Sequence, residues 1–211
     1  MLARALPFVV FVLLTCLEQQ FGRSSQYWVY FLKTLVGAWF IFEMRAAVPE
    51  MKWAFSVEAL LVGIVVFALW VGLDPYYPPL FGKGGATWNP HLQFGLNSAA
   101  AWFFIVARIT GMTFVVPMLE EVFFRSFLYR AIAEKDFMGM PLNQFRPGPF
   151  LITSVLFGIE HHQWLAGILA GLAYHWLVFR KGRLGDAITA HAITNFLLGV
   201  WVIWKSAWNF F

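Results

Sequence analysis

The sequence predicts an all-α protein, a polytopic transmembrane helix bundle of about seven to eight spans. Two observations carry that expectation. Of the 211 residues, 60% are hydrophobic and only 12% are charged, where soluble domains carry about 25% charged residues. The apolar residues also fall into runs of the length a spanning helix needs, about 20 residues, and mean hydropathy is +0.67. So few acids and bases cannot coat a globule of this size, which excludes an ordinary soluble domain. The net charge of +4 then reports topology, and no nucleic-acid partner is expected. A single cysteine, Cys16, permits neither an intrachain disulfide nor a cysteine-rich metal site. Eleven tryptophans suit interfacial belts.

The spans are expected at about 5–20, 27–44, 54–73, 98–119 continuing toward 134, 148–164, 165–179 and 186–205. The first, in "MLARALPFVVFVLLTC", follows Arg4 and has no small-x-small cleavage site, so it reads as a retained span and not a cleaved signal. The break "DPYYPPLFGKGGATWNPHLQ" is the longest and is rich in Pro and Gly, a non-cytoplasmic loop. Residues 1–96 thus read as N-terminal transmembrane helices with that loop, and 97–211 as a helical core that carries the chemistry. With the N-terminus cytoplasmic, nine basic residues lie inside (Arg4, Arg45, Lys52, Arg130, Lys135, Arg146, Arg180, Lys181, Arg183) against three outside (Arg23, Lys83, Lys205). That bias obeys the positive-inside rule and gives a multi-pass protein of the cell (inner) membrane.

Ionisable residues within spans cost about 2.5–3.5 kcal/mol each on insertion scales and mark function. Three clusters stand out. In "VVPMLEEVFFRSFLYR", Glu121 and Arg125 are four apart on one helical face, acid first, the favourable order for an ion pair. Glu120 is turned about 100° away and lacks that partner. Pro117 should interrupt or start a helix just upstream. In "SVLFGIEHHQW", Phe157 and His161 share a face and His162 does not; Glu160 adds another acid. In "GDAITAHAITNFLLGVWVIW", His191 and Asn195 are four apart. Each has a structural alternative: a solvated helix start, an interfacial histidine pair beside Trp164, and hydrogen-bonding glue between helices. Elsewhere, Lys33 and Arg108 would snorkel or pair with a neighbour such as Glu58, and Glu43, Glu50 and Glu58 read as loop or interface charges. His175 reads as structural, beside a small-residue packing face at Gly167 and Gly171. Counted from inner ends near 130, 149 and 186, the expected depths of Glu120, His161 and His191 are about 15, 18 and 8 Å, which permits a shared site.

Glu-Glu-x-x-x-Arg, then Phe-x-x-x-His, then His-x-x-x-Asn, in that order on successive spans, resembles the CPBP or Abi family of intramembrane proteases, which includes the CAAX prenyl endopeptidases. The resemblance runs from Pro117 to about Leu198; Ser126 stands where the family often has Gly. It implies a glutamate-type endopeptidase without metal or cofactor. Glu120 would be the general base, acting with His161 on a water, and His191 with Asn195 would stabilise the oxyanion. Glu121, Arg125 and Phe157 would support them. Burial makes a carboxylate a stronger base near neutral pH, and a donor preset for an oxyanion is worth about 2.7–4 kcal/mol. The implied partners are membrane lipid and a peptide or protein substrate with a membrane-associated, CAAX-like C-terminus. Two alternatives remain: a metal-dependent membrane hydrolase using the same Glu and His residues, although no His-Glu-x-x-His is present, and a non-catalytic proton-coupled transporter or scaffold.

Overall fold

The computed structural model describes residues 1–18, 20–22, 24–80, 88–96 and 98–211, and the described residues contain helices and no strand. The principal helices are α1 (Leu2–Thr15), α2 (Ser25–Met44), α3 (Val57–Leu73), the short α4 (Pro90–Phe94), a long α5 (Ala99–Ala133), α6 (Pro147–Ile159), α7 (Trp164–Lys181) and α8 (Gly185–Lys205). Residues 81–87 of the long loop, and Arg23 and Lys83 of the charge count, lie outside the described residues. By length and composition Val57–Tyr76, Ala99–Ala133 and Gly185–Lys205 can cross a membrane, and Leu2–Thr15 and Pro147–Ile159 are shorter apolar helices. Large apolar side chains such as Leu13, Trp39, Phe42 and Ile64 are exposed on the bundle's outside, the surface that lipid would cover.

Local chemistry sets the helix ends. Ser56 and Ser98 cap α3 and α5, each hydroxyl accepting a backbone N–H three residues on. Pro147 opens α6, where its missing N–H costs nothing. Gly182 ends α7 at φ +66°, a left-handed conformation that suits glycine.

Small residues set the packing. A Cβ on Gly171 of α7 would come within 3.0 Å of the Ser154 backbone on α6, and one on Gly167 within 2.9 Å of Gly158 Cα. The expected small-residue face is therefore the α6–α7 contact. Gly63 does the same for α3 against α8, where an added Cβ would lie 2.7 Å from the Ala190 carbonyl. Thr194 seals that contact by donating to the Gly63 carbonyl at 2.9 Å.

Three expectations change. His161 lies beyond the end of α6 and not inside a helix to 164: the helix stops at Ile159, and the chain turns through 160–163 into α7. A depth counted along a continuous helix therefore does not apply to it. Lys33 pairs with Glu18 at 2.5 Å, and the Arg108 guanidinium lies over the Tyr30 and Trp88 rings at 4.6 and 4.5 Å. Glu58 instead takes Lys181 at 2.8 Å.

The third correction is Glu50, which is a node and not a loop charge. Arg4 forks onto its carboxylate at 2.7 and 3.0 Å, Arg130 reaches it at 3.2 Å, and Ser126 donates to the same oxygen. This knot ties the start of α1 and the α2–α3 loop to the last turns of α5. It also gives Ser126 a task that a glycine could not perform.

Burial pushes the Glu50 carboxyl up, but hydrogen bonds from Arg4 and Ser126 more than offset it, so it is held below its ordinary value. A depressed folded value means stability that is present above the unfolded carboxylate value of about 4.3 and lost as pH falls through the folded one. In detergent melting curves from pH 7 to pH 3, wild type should lose its advantage over Glu50→Gln as the pH drops below about 4. Parallel curves over that range would contradict the account.

Candidate active site

The site is built on α5. Pro117 has no N–H, and the helix accommodates it with a widened π-helical turn at Gly111–Val115, in which the Val116 N–H reaches back to the Gly111 carbonyl. In that register the Met112 carbonyl would take its bond from residue 117, which has none to give. The Asn195 side chain supplies it, with Nδ2 donating to Met112 O at 2.7 Å. A second π-helical stretch, Val122–Leu128, follows the two glutamates. The proline is thus absorbed within one continuous helix and starts no new one.

Glu121 is fully buried, and Oε1 meets two partners: Arg125 Nη1 at 3.1 Å and His191 Nδ1 at 3.0 Å. The first is the expected pair. The second was not legible in the sequence, because it joins α5 to α8 across 70 positions. Arg125 is 2% exposed. Its guanidinium lies 4.3 Å from the Phe157 ring centroid, and Nη2 donates to the Gly171 carbonyl at 3.4 Å. One ion pair therefore touches α6, α7 and α8 at once.

Glu120 differs from its neighbour. It is 7% exposed, and its Oε2, like that of Glu121, makes no hydrogen bond among the described residues. That oxygen lies 3.9 Å from His191 Nε2. With Nδ1 donating to Glu121, the tautomer that this contact selects, Nε2 of His191 faces Glu120. The His191 ring stacks on Tyr174 at 5.0 Å, and Tyr174 donates to Thr194 at 2.8 Å. Tyr174 is thus a support that sequence reasoning missed; its only signal was a position one turn from the Gly167–Gly171 face.

His161 approaches from the α6–α7 turn. Its Nδ1 bonds the Phe157 carbonyl at 2.8 Å, which leaves Nε2 unengaged by that contact. The ring packs between Phe157 and Trp70 of α3, with centroids at 5.0 and 5.2 Å. Phe157 also meets His191 at 5.8 Å, so one buried ring spaces both histidines. His162 is exposed, and its backbone carbonyl accepts from the Leu80 N–H at 3.0 Å. His175 is buried among Tyr129, Phe150 and Phe179 on the other side of α7.

The structure thus brings Glu120, Glu121, Arg125, Phe157, His161 and His191 together, with Asn195 one turn along α8. No hydrogen bond joins Glu120 to His161; they are separate groups on either side of the Phe157–His191 contact. Among the described residues no group of three or more His, Cys, Asp or Glu side chains is arranged to hold a metal ion.

A helical membrane bundle with a buried Glu-His constellation at its centre is the class that fold and site define. Residues 98–197 match the family model described as "Type II CAAX prenyl endopeptidase Rce1-like". That segment, which holds every residue of the constellation, is similar to the Rce1-like family. Over 127 residues it is 32% identical to "Putative membrane peptidase YdiL" of Bacillus subtilis (strain 168), an alignment covering 59% of this chain and 46% of that protein. The chain spans about half the length of this curated relative. No solved structure gives a significant match.

Two outcomes follow from the geometry. Arg125→Met or Glu121→Gln alone leaves a buried group without its charge partner, a loss of about 3–5 kcal/mol where a buried pair is broken. The double variant should recover part of that loss in detergent unfolding; simple addition of the two losses would mean that the pair is not coupled. Asn195→Ala should cost about 1 kcal/mol by removing the bond to the half-buried Met112 carbonyl. An unchanged melting temperature would show that the bond to α5 contributes nothing.

Proposed function

We propose that the protein is an intramembrane endopeptidase of the glutamate type. The observation that supports this most is the division of labour between adjacent carboxylates. Glu121 Oε1 is taken up by Arg125 and His191 at 3.1 and 3.0 Å, while the ion-pair contact of Glu120 is the 3.9 Å approach of His191 Nε2 to its buried Oε2, which, like Glu121 Oε2, has no hydrogen bond among the described residues. A carboxylate kept uncommitted in a buried site is a candidate general base.

In this reading a water between Glu120 and His161 gives its proton to Glu120 as its oxygen attacks the peptide carbonyl carbon. His161, with Nδ1 bonded to the Phe157 carbonyl, turns Nε2 to the same water as an acceptor. Negative charge gathers on the carbonyl oxygen, where Asn195 Nδ2 donates to it and His191 Nε2 does so only with the ring in its protonated form. When Nε2 carries a proton, Glu121 balances the charge of the His191 ring from Nδ1. Asn195 has a second Nδ2 hydrogen beyond the one given to Met112. Collapse of the tetrahedral intermediate breaks the C–N bond, and the proton held by Glu120 passes to the leaving amine. Arg125 and Phe157 act on geometry and not on the reacting atoms.

The substrate of this reading is a peptide or protein with a membrane-associated, CAAX-like C-terminus, in line with the description of the matched family. The setting is the cell's inner membrane with a cytoplasmic N-terminus, supported by the distribution of basic residues.

Cleavage of a fluorogenic membrane peptide by purified protein tests the assignment. Glu120→Gln and His161→Ala should each lower kcat by at least about 100-fold, in the range of a lost general base, and Glu120→Gln should do so without loss of melting temperature. His162→Ala should keep most activity, and a chelator should leave wild type unaffected. An active Glu120→Gln variant removes Glu120 from the role of base; chelator inhibition would favour a metal-dependent hydrolase.

A further inference from the structure

A cavity of about 770 Å³ lies away from the glutamates, among the start of α1, the α2–α3 loop, the end of α5 and the start of α8. It falls within the range of ligand-sized pockets, roughly 300–1,000 Å³. Four bases line it: Arg4, Lys52, Arg130 and Arg183. Glu50 is the acid in the same wall, and it already serves both Arg4 and Arg130. Asp186 lies fully buried behind Arg183 and pairs with it at 2.6 Å. Two carboxylates therefore face four cations. The α8 N-terminus, whose Gly185 also lines the cavity, has no side-chain cap, so its free N–H groups add positive potential. Trp53, exposed in the same wall, has the character of a residue at a membrane–water boundary.

Such excess positive charge beside a bilayer calls for an anion, and basic pockets between membrane helices suit phosphate-bearing headgroups. We propose that this cavity binds the phosphate group of an anionic headgroup, held by Lys52 and Arg183 over the Arg4–Glu50–Arg130 knot. Lys52 and Arg183 are the exposed members and can move onto a ligand, whereas Arg4 and Arg130 are fixed in the wall. The site is separate from the constellation: Arg130 lies ten residues beyond Glu120 on α5, about 15 Å at helical rise. It does not depend on the peptidase reading.

The test uses the full chain in a neutral detergent and phosphate-free buffer, with melting temperature as the readout. Phosphatidylglycerol should raise it saturably, as a ligand of the native state does, and phosphatidylcholine should not. Lys52→Glu, a change at an exposed side chain, should weaken the apparent affinity about thirtyfold, since one basic residue near a lipid surface is worth about 1 kcal/mol and the reversal counts twice. If sodium phosphate reproduces the shift and its Lys52 dependence, the ligand is the free anion and the site stands. No shift with either phosphate source overturns the proposal. So does an equal shift with phosphatidylcholine, or a phosphatidylglycerol response unchanged in Lys52→Glu.

Discussion

Glu121 is the constraint on which the rest of the site depends. A carboxylate with no exposure in a membrane bundle must be matched, because breaking a buried pair costs several kcal/mol. Arg125 matches it from one turn along the same helix, and His191 matches it from α8. The pairing fixes the α5–α8 contact and the orientation of the His191 ring. It also carries Arg125 onto Phe157 and the Gly171 carbonyl. Four helices are thus registered by one charge, and Glu120 is left uncommitted as a consequence.

The backbone of α5 prepares that arrangement. Pro117 would kink an ordinary helix, yet the widened turn at Gly111–Val115 absorbs it and leaves one carbonyl, Met112, without a backbone donor. Asn195 closes the gap from α8. A residue whose spacing from His191 suggests transition-state chemistry is therefore also a fastener between the two helices that carry the acids and the imidazole. Both tasks are compatible, because an amide nitrogen has two hydrogens.

At the far end of α5 the Glu50 knot performs a similar task with opposite emphasis. One carboxylate gathers two arginines and a serine from distant parts of the chain, joining the N-terminal helices to the end of α5. Its surplus of positive charge is what makes the neighbouring cavity a place for an anion.

Composition and periodicity alone determined a helical membrane bundle, the rough order of its helices, and the Glu121–Arg125 pair. These are local properties: apolar runs, a four-residue spacing on one helix, small residues at Gly167 and Gly171. The motif order also marked the segment in which the family match falls. Only the tertiary structure decided the rest, because the deciding contacts join residues far apart in sequence. His191 meets Glu121 across 70 positions, and Arg4 meets Glu50 across 46. Tyr174 and Trp70 enter the site from helices that carry no motif. The end of α6 before His161 was not read from the sequence either: the apolar runs on both sides suggest a helix to 164, whereas the backbone turns through the polar residues 160–163. A sequence shows which charges are costly to bury; the fold alone decides which opposite charge and which ring arrive to meet them.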